Sequence, residues 1–282
     1  LLLERGDIDM ARNLNPEDVA GARDAEGIVI HEELRGRLMY LAFSQKHPEL
    51  SKPQVRQAMK YLVDYEGMQN SFLNGQYTIH QNFLPRTFLG AVNENPFSLN
   101  VEKAKALLAE AGVPEGLELT AGVREAQERI EIAQTFQNAL AQVGIKLNIT
   151  VGTAKQILGE YRSRNLDVYI GAWGPDYPDL HTNAGTFAYN PDNSDAANAT
   201  GLLAWRNSWD TGGLTDKTAA AVVENDRDAR QQMYSDIQAE FRGTSPVAIM
   251  FQKIEQAAMR ENVQNVNLGG ATTAVSYWPI TK

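Results

Sequence analysis

Between residues 117 and 173, three strand-like runs alternate with two helix-like runs, and no other feature of the chain restricts its fold so strongly. Leu117–Val123 is apolar enough for a buried strand. Over 126–143, Ile130, Ala133, Phe136, Leu140 and Val143 recur with the helical period, and Gly144 closes the run. Ile145, Leu147, Ile149 and Val151 alternate with Lys146, Asn148 and Thr150, the mark of a half-buried strand. Residues 154–164 read as a helix and 166–173 as a third strand. Parallel strands need such crossovers, and the crossovers are right-handed. The expected class is α/β: a mixed, mostly parallel sheet with helices on both faces.

The third strand stops abruptly. Leu166–Trp173 is β-branched and aromatic, whereas Gly174, Pro175, Asp176, Tyr177, Pro178 and Asp179 are turn chemistry plus one ring. In open α/β sheets the carboxyl edge is where ligands bind. The loop is therefore either a ligand-facing edge or a rigid surface turn.

Composition narrows the chemistry. With 35 acidic and 26 basic residues the net charge is -9, which argues against a nucleic-acid partner. The absence of cysteine removes disulfides, thiolate nucleophiles and Cys-based zinc sites together. His31, His47, His80 and His181 are scattered, with no pair at metal-ligand spacing, so no metal and no cofactor is expected. No phosphate loop, nucleophile elbow or H-E-x-x-H helix is present, and no catalysis is expected. A hydrolase on an α/β scaffold stays open as an alternative, because two carboxylates in a cleft leave no motif. Apolar runs are too short to span a membrane.

The remaining chain reads in order as follows. Leu1–Arg5 looks like a helix end stopped by Gly6, and 8–11 like a short strand. Asn15-Pro16-Glu17-Asp18 starts a helix. Gly27–His31 and Leu38–Phe43 read as two strands split by a charged turn, Glu32–Arg37. Helices are expected from Pro53, over 66–73 and from Asn100 to Gly112, with 74–100 an irregular segment that packs on the domain. Residues 181–200 are polar and Asn-rich, in part a flexible cover. Trp205 and Trp209 are core anchors or ligand-facing rings. Helices at 214–223 and 228–241 precede strands at 246–251, 256–259 and 274–280. Polar stretches at 44–53 and 260–270 are candidate boundaries around a middle unit, and the outer pieces are too small to fold alone. A two-strand hinge between lobes is the geometry of a protein that closes on a ligand. The start at Leu1, without Met or a signal peptide, reads as part of a longer chain.

Four segments carry a resemblance. They are Leu3-Glu-Arg-Gly-Asp-Ile-Asp9; Lys52-Pro-Gln-Val-Arg-Gln-Ala-Met59 with Val63-Asp64; Val101-Glu-Lys-Ala-Lys-Ala-Leu-Leu-Ala-Glu-Ala-Gly112; and Leu166-Asp-Val through Trp173-Gly-Pro-Asp-Tyr-Pro-Asp179. In this order and spacing the chain resembles the carboxyl-terminal half of the family 5 extracellular solute-binding proteins, the oligopeptide, dipeptide and nickel receptors of bacterial ABC importers. The resemblance implies a monomeric, exported, periplasmic receptor that traps a ligand between two lobes and hands it to a membrane permease. Residues 46–264 would be lobe II, and 1–45 with 265–282 a remnant of lobe I. The implied ligand is a peptide, with sugars, opines or nickel chelates as alternatives. Asp176 matches the position that pairs with a ligand α-amino group, an arrangement that offsets ammonium desolvation. Trp173 and Tyr177 would wall the site, Gly174 and Pro175 would shape it, and Arg162 is the nearest match to an arginine that meets a ligand carboxylate. A second family arginine has no match, since Ile170 stands there.

Overall fold

The computed structural model describes residues 2–270 and 275–282. The chain begins with α1 (Leu2–Arg5), β1 (Met10–Arg12), α2 (Pro16–Arg23) and β2 (Ile28–Phe43), then α3 (Pro53–Tyr61), α4 (Tyr65–Asn70) and β3 (Tyr77–Ile79). Next come α5 (Val101–Glu110), β4 (Glu118–Arg124), α6 (Gln127–Ala141), β5 (Lys146–Gly152), α7 (Ala154–Arg162) and β6 (Val168–Trp173). The last elements are α8 (Leu180–Phe187), α9 (Leu203–Arg206), α10 (Leu214–Val223), α11 (Arg227–Thr244) and β7 (Val247–Arg260). Helix starts follow local chemistry. Asn15 and Asn100 accept from the backbone N–H of Asp18 and Lys103, and Thr153 with Gln156 forms a capping box.

The strands form one sheet in the order β1-β7-β2-β6-β4-β5, with β3 also on β7. It is the mixed sheet expected, but only β6, β4 and β5 run parallel; β2 pairs antiparallel with both β6 and β7. The parallel share is thus smaller than the crossover pattern implied. That pattern governs 117–173 alone, whereas β7 returns after four α-helices and lies antiparallel along β2. Both faces are covered, as expected. Along β2, Met39, Leu41 and Phe43 enter a core with α3, α5 and α6, while Leu38, Tyr40 and Ala42 enter another with α8 and α11. A third, small cluster joins Leu3, Ile28 and Ala258 where the far ends of β2 and β7 meet α2.

Several expectations are corrected. Glu32–Arg37 is no turn: β2 runs on through it, and strands 246–251 and 256–259 are likewise one strand, β7. The charges are tolerated because they find partners on the sheet. Glu32 accepts from Gln256 and pairs with Arg23, and Glu33 accepts from the Leu268 backbone N–H. The break shrinks to a bulge: between Leu34↔Ile254 and Leu38↔Gln252, Arg35, Gly36 and Arg37 face Lys253 alone. Residues 180–187 are a buried helix and no flexible cover. The Phe187 ring there meets Tyr40, Phe83, Trp173 and Phe241 at centroid distances of 5.7, 6.3, 6.4 and 6.0 Å. Its asparagine, Asn183, is polar but buried, donating to the Phe83 carbonyl. Trp205 and Trp209 are buried anchors, which removes their ligand-facing alternative. Ala274 lies outside the described residues; 275–280 has a single bridge, Ser276↔Asn267, and a turn from Ile280 to Tyr277 instead of a strand.

Candidate ligand-binding edge

At the carboxyl end of β6, Trp173 stands opposite Leu38 of β2. Its ring is half-buried edge-on to Phe187, and its indole Nε1 is buried without an acceptor. Gly174 is half-buried and Pro175 buried, so the start of the loop is fixed by packing. Asp176 and Tyr177 then project outward, Tyr177 with 50% of its surface exposed. Among the described residues Asp176 makes no hydrogen bond and no ion pair.

The loop's far end is tied down differently. Asp179 caps α8 by accepting from the His181 N–H, and takes two hydrogen bonds of 2.9 Å from the Arg230 guanidinium on α11. The Arg230 hydrogen bonds hold the Asp179 carboxyl below its usual range. Burial lowers His181, whose Nδ1 lies 3.2 Å from the Tyr234 hydroxyl, and burial pushes Tyr234 up to about 12. Asp179 and Arg230 line a depression of about 540 Å³ with Pro178, Leu180 and Phe88, but its central charges already satisfy each other.

Arg162 is not on this edge. It ends α7, is exposed, and leads to the amino end of β6, a strand length away from Trp173, roughly 17 Å at the usual rise. Other cations occupy the loop's edge. Arg124 ends β4, half-buried, and Arg37 sits in the β2 bulge next to Leu38; neither has a hydrogen bond or ion pair among the described residues. Arg37, Arg35, Lys253, Glu128, Glu255 and Tyr77 line a depression of about 480 Å³. Lys253 lies over the Tyr77 ring at 4.7 Å, and Glu255 is committed to Arg12 at 2.9 Å.

Arg129, 2% exposed in the first turn of α6, does not itself line this depression, but Arg37 and Glu128, which do, are among its electrostatic neighbours; its Nε and Nη1 both lack an acceptor among the described residues. Burial lowers its pKa, and Tyr169, Arg124, Arg37 and Glu128 are its electrostatic neighbours. A guanidinium stays charged even so. The helical period places Ile130, Ala133, Phe136 and Leu140 inward, and they pack on the core, Ile130 half-buried; the structure also buries Arg129 and Ile132, which that reading does not place inward. The available signal was the position of Arg129 itself, four residues before Ala133 on the apolar face. No cluster of three or more His, Cys, Asp or Glu able to hold a metal is present among the described residues.

A mixed α/β sheet with an open carboxyl edge that carries uncommitted charges of both signs has the layout at which α/β proteins commonly hold ligands. The chain belongs to the bacterial extracellular solute-binding proteins, family 5, whose family model matches residues 1–195. Di/tripeptide-binding protein 1 of Pseudomonas aeruginosa is 22% identical over 274 residues, covering 94% of this chain and 49% of that protein. Heme-binding protein A of Haemophilus influenzae is 27% identical over 203 residues, covering 70% of this chain and 34% of that one. Among solved structures, HbpA2 from Haemophilus parasuis superposes with a TM-score of 0.85 at 22% identity, over 99% of this chain and 54% of that chain. The dipeptide binding protein from Pseudoalteromonas sp. SM9913, in complex with Met-Leu, gives 0.82 at 19% identity over 100% and 55%. The chain therefore spans about half the length of the relatives it matches.

Proposed function

We propose that this chain is the ligand-closing part of an exported, periplasmic receptor that captures a peptide and delivers it to the membrane permease of an ABC importer, without catalysis. On this division residues 46–264 are assigned to lobe II and 1–45 with 265–282 to lobe I, and the paired strands β2 and β7 lie at the crossing: the Leu38–Phe43 half of β2 packs into the lobe II cores, while Ile28 and Ala258 at the far ends pack with Leu3. The small separate cluster around Ile28 and Ala258, and the bulge at Arg35–Arg37, support that division. One observation carries the reading: the edge is bipolar. Asp176 offers an unpaired carboxylate on a loop fixed at both ends, and Arg37 and Arg124 offer unpaired guanidinium groups on the same edge. That arrangement complements a zwitterion. Trp173 and Tyr177 supply apolar walls, and Gly174 and Pro175 set the turn. Identity of related proteins as di/tripeptide-binding agrees with the ligand class.

Native mass spectrometry of the full-length protein, purified without added ligand, tests the reading. A bound peptide supports it; a bound sugar, opine or nickel chelate moves the site to a non-peptide ligand. Turnover of an ester or glycoside that depends on this chain would overturn the binding role.

A further inference from the structure

Resting on the proposed binding site, we infer that the depression at the β2 bulge receives a second anionic group of the ligand, so that the preferred peptide carries an acidic side chain besides its terminal carboxylate. Arg129 makes the case. A buried guanidinium with two unanswered nitrogens carries a desolvation cost that its surroundings do not offset. Its nearest charges are chiefly cationic, Arg37 and Arg124, with Glu128 the one carboxylate among them.

The rest of the depression repeats the imbalance. Lys253 is half-buried and has only the Tyr77 ring beneath it, and Glu255 is taken by Arg12. Among the lining carboxylates Glu128 alone remains to face Arg37 and Lys253, and it is also the one carboxylate among the electrostatic neighbours of Arg129. The start of α6 adds to this field: Ala126 provides no side-chain cap, and although the Arg129 N–H donates to the Ala126 carbonyl, the Gln127 and Glu128 N–H groups stay open among the described residues at the positive end of a 15-residue helix. A basic hollow on a chain of net charge -9 concentrates anions locally. One terminal carboxylate balances one of the surplus cations and leaves the buried one unanswered. A planar side-chain carboxylate matches the guanidinium fork.

The experiment is calorimetric titration of the full-length protein with Ala-Glu, its neutral counterpart Ala-Gln, and citrate, in the wild type and in Arg129→Met and Arg37→Gln. Arg37 is exposed, so that variant folds even if Arg129→Met does not. Ala-Glu should bind at least about tenfold more tightly than Ala-Gln, as a charge-assisted contact implies, and both variants should reduce that ratio. A merely structural role for Arg129 would weaken both peptides alike. Peptides that bind without discrimination between Glu and Gln, or a ratio unchanged in Arg37→Gln, would overturn the inference and leave the peptide reading standing. Citrate bound in an Arg129-dependent way, with no peptide bound, would overturn the peptide reading and with it the acidic-peptide preference, and would leave only an anion site at the depression. Binding of none of the three would overturn both.

Discussion

Asp179 and Arg230 are locked together by two hydrogen bonds of 2.9 Å, whereas Asp176, three residues earlier on the same loop, has no partner among the described residues. One carboxylate is structural and the other is held in reserve. The loop owes its geometry to the first and its proposed function to the second.

Asp176→Ala in the full-length protein should therefore weaken peptide binding by roughly 2–5 kcal/mol, the cost of leaving a ligand ammonium unpaired in a closed site. Its melting temperature should stay unchanged, because nothing in the fold depends on this side chain. Titration calorimetry beside a thermal melt reads both; loss of stability with affinity intact would make Asp176 a turn former.

Asp179→Asn should do the opposite. The pair with Arg230 is about a third exposed, so solvent screening limits its worth, and with the α8 cap the loss should be about 1 kcal/mol. The Asp179 carboxyl is held low in the fold, so its contribution is present above the ordinary carboxylate range and disappears as pH falls through the folded value. Acid unfolding curves of the variant and the wild type should converge at low pH. A constant offset across all pH values would contradict this.

Lys60 predicts a dependence at the other end of the scale. Only 1% exposed, it donates to the Arg242 carbonyl at 2.8 Å, and burial lowers its pKa from 10.5 to about 7. Between those values the unfolded chain binds a proton that the folded chain does not, so stability rises with pH across the window. Lys60→Met keeps the packing volume and removes the titration. The stability difference between Lys60→Met and wild type should shrink steadily from pH 7 to 10; a difference independent of pH would show that Lys60 does not titrate there.

Gly171→Ala should destabilise the sheet. A Cβ at Gly171 would lie 2.3 Å from the Tyr40 ring and 2.5 Å from that of Tyr169. Neither ring has room to give way in a close-packed core, so the cost should be about 1–3 kcal/mol, measured by urea unfolding. Gly159→Ala, with nothing within 4 Å of its Cβ, is the matched control and should be neutral or slightly stabilising.

Element identity was readable where local chemistry decides it. Asn100 and the prolines at 16 and 53 mark helix starts that the structure reproduces, and the alternation at 145–151 is strand β5. The Gly174–Asp179 break lies where the turn residues put it, at the end of β6. The loop's neighbours were not readable in the same way. The apolar period of the 126–143 helix does not single out Arg129, and Arg37 reads as part of a charged turn. The Asp179–Arg230 pair spans 51 positions, and no local pattern announces it. Arg162, close to β6 in the chain, lies at the strand's other end, since a helix and the strand after it meet at the strand's amino edge.

The amino-acid order by itself determined the alternation of helices and strands between 117 and 173, the abrupt glycine–proline corner and the segments that mark the family, because propensity, capping and periodicity act over a few residues. The tertiary structure alone decided that β7 joins β2 across more than two hundred positions, that the charged run 32–37 continues a strand, and that Arg129 is buried among cations. Such outcomes depend on which surfaces meet once the chain has closed on itself, and burial and Coulomb energies are set by those meetings rather than by neighbours in sequence.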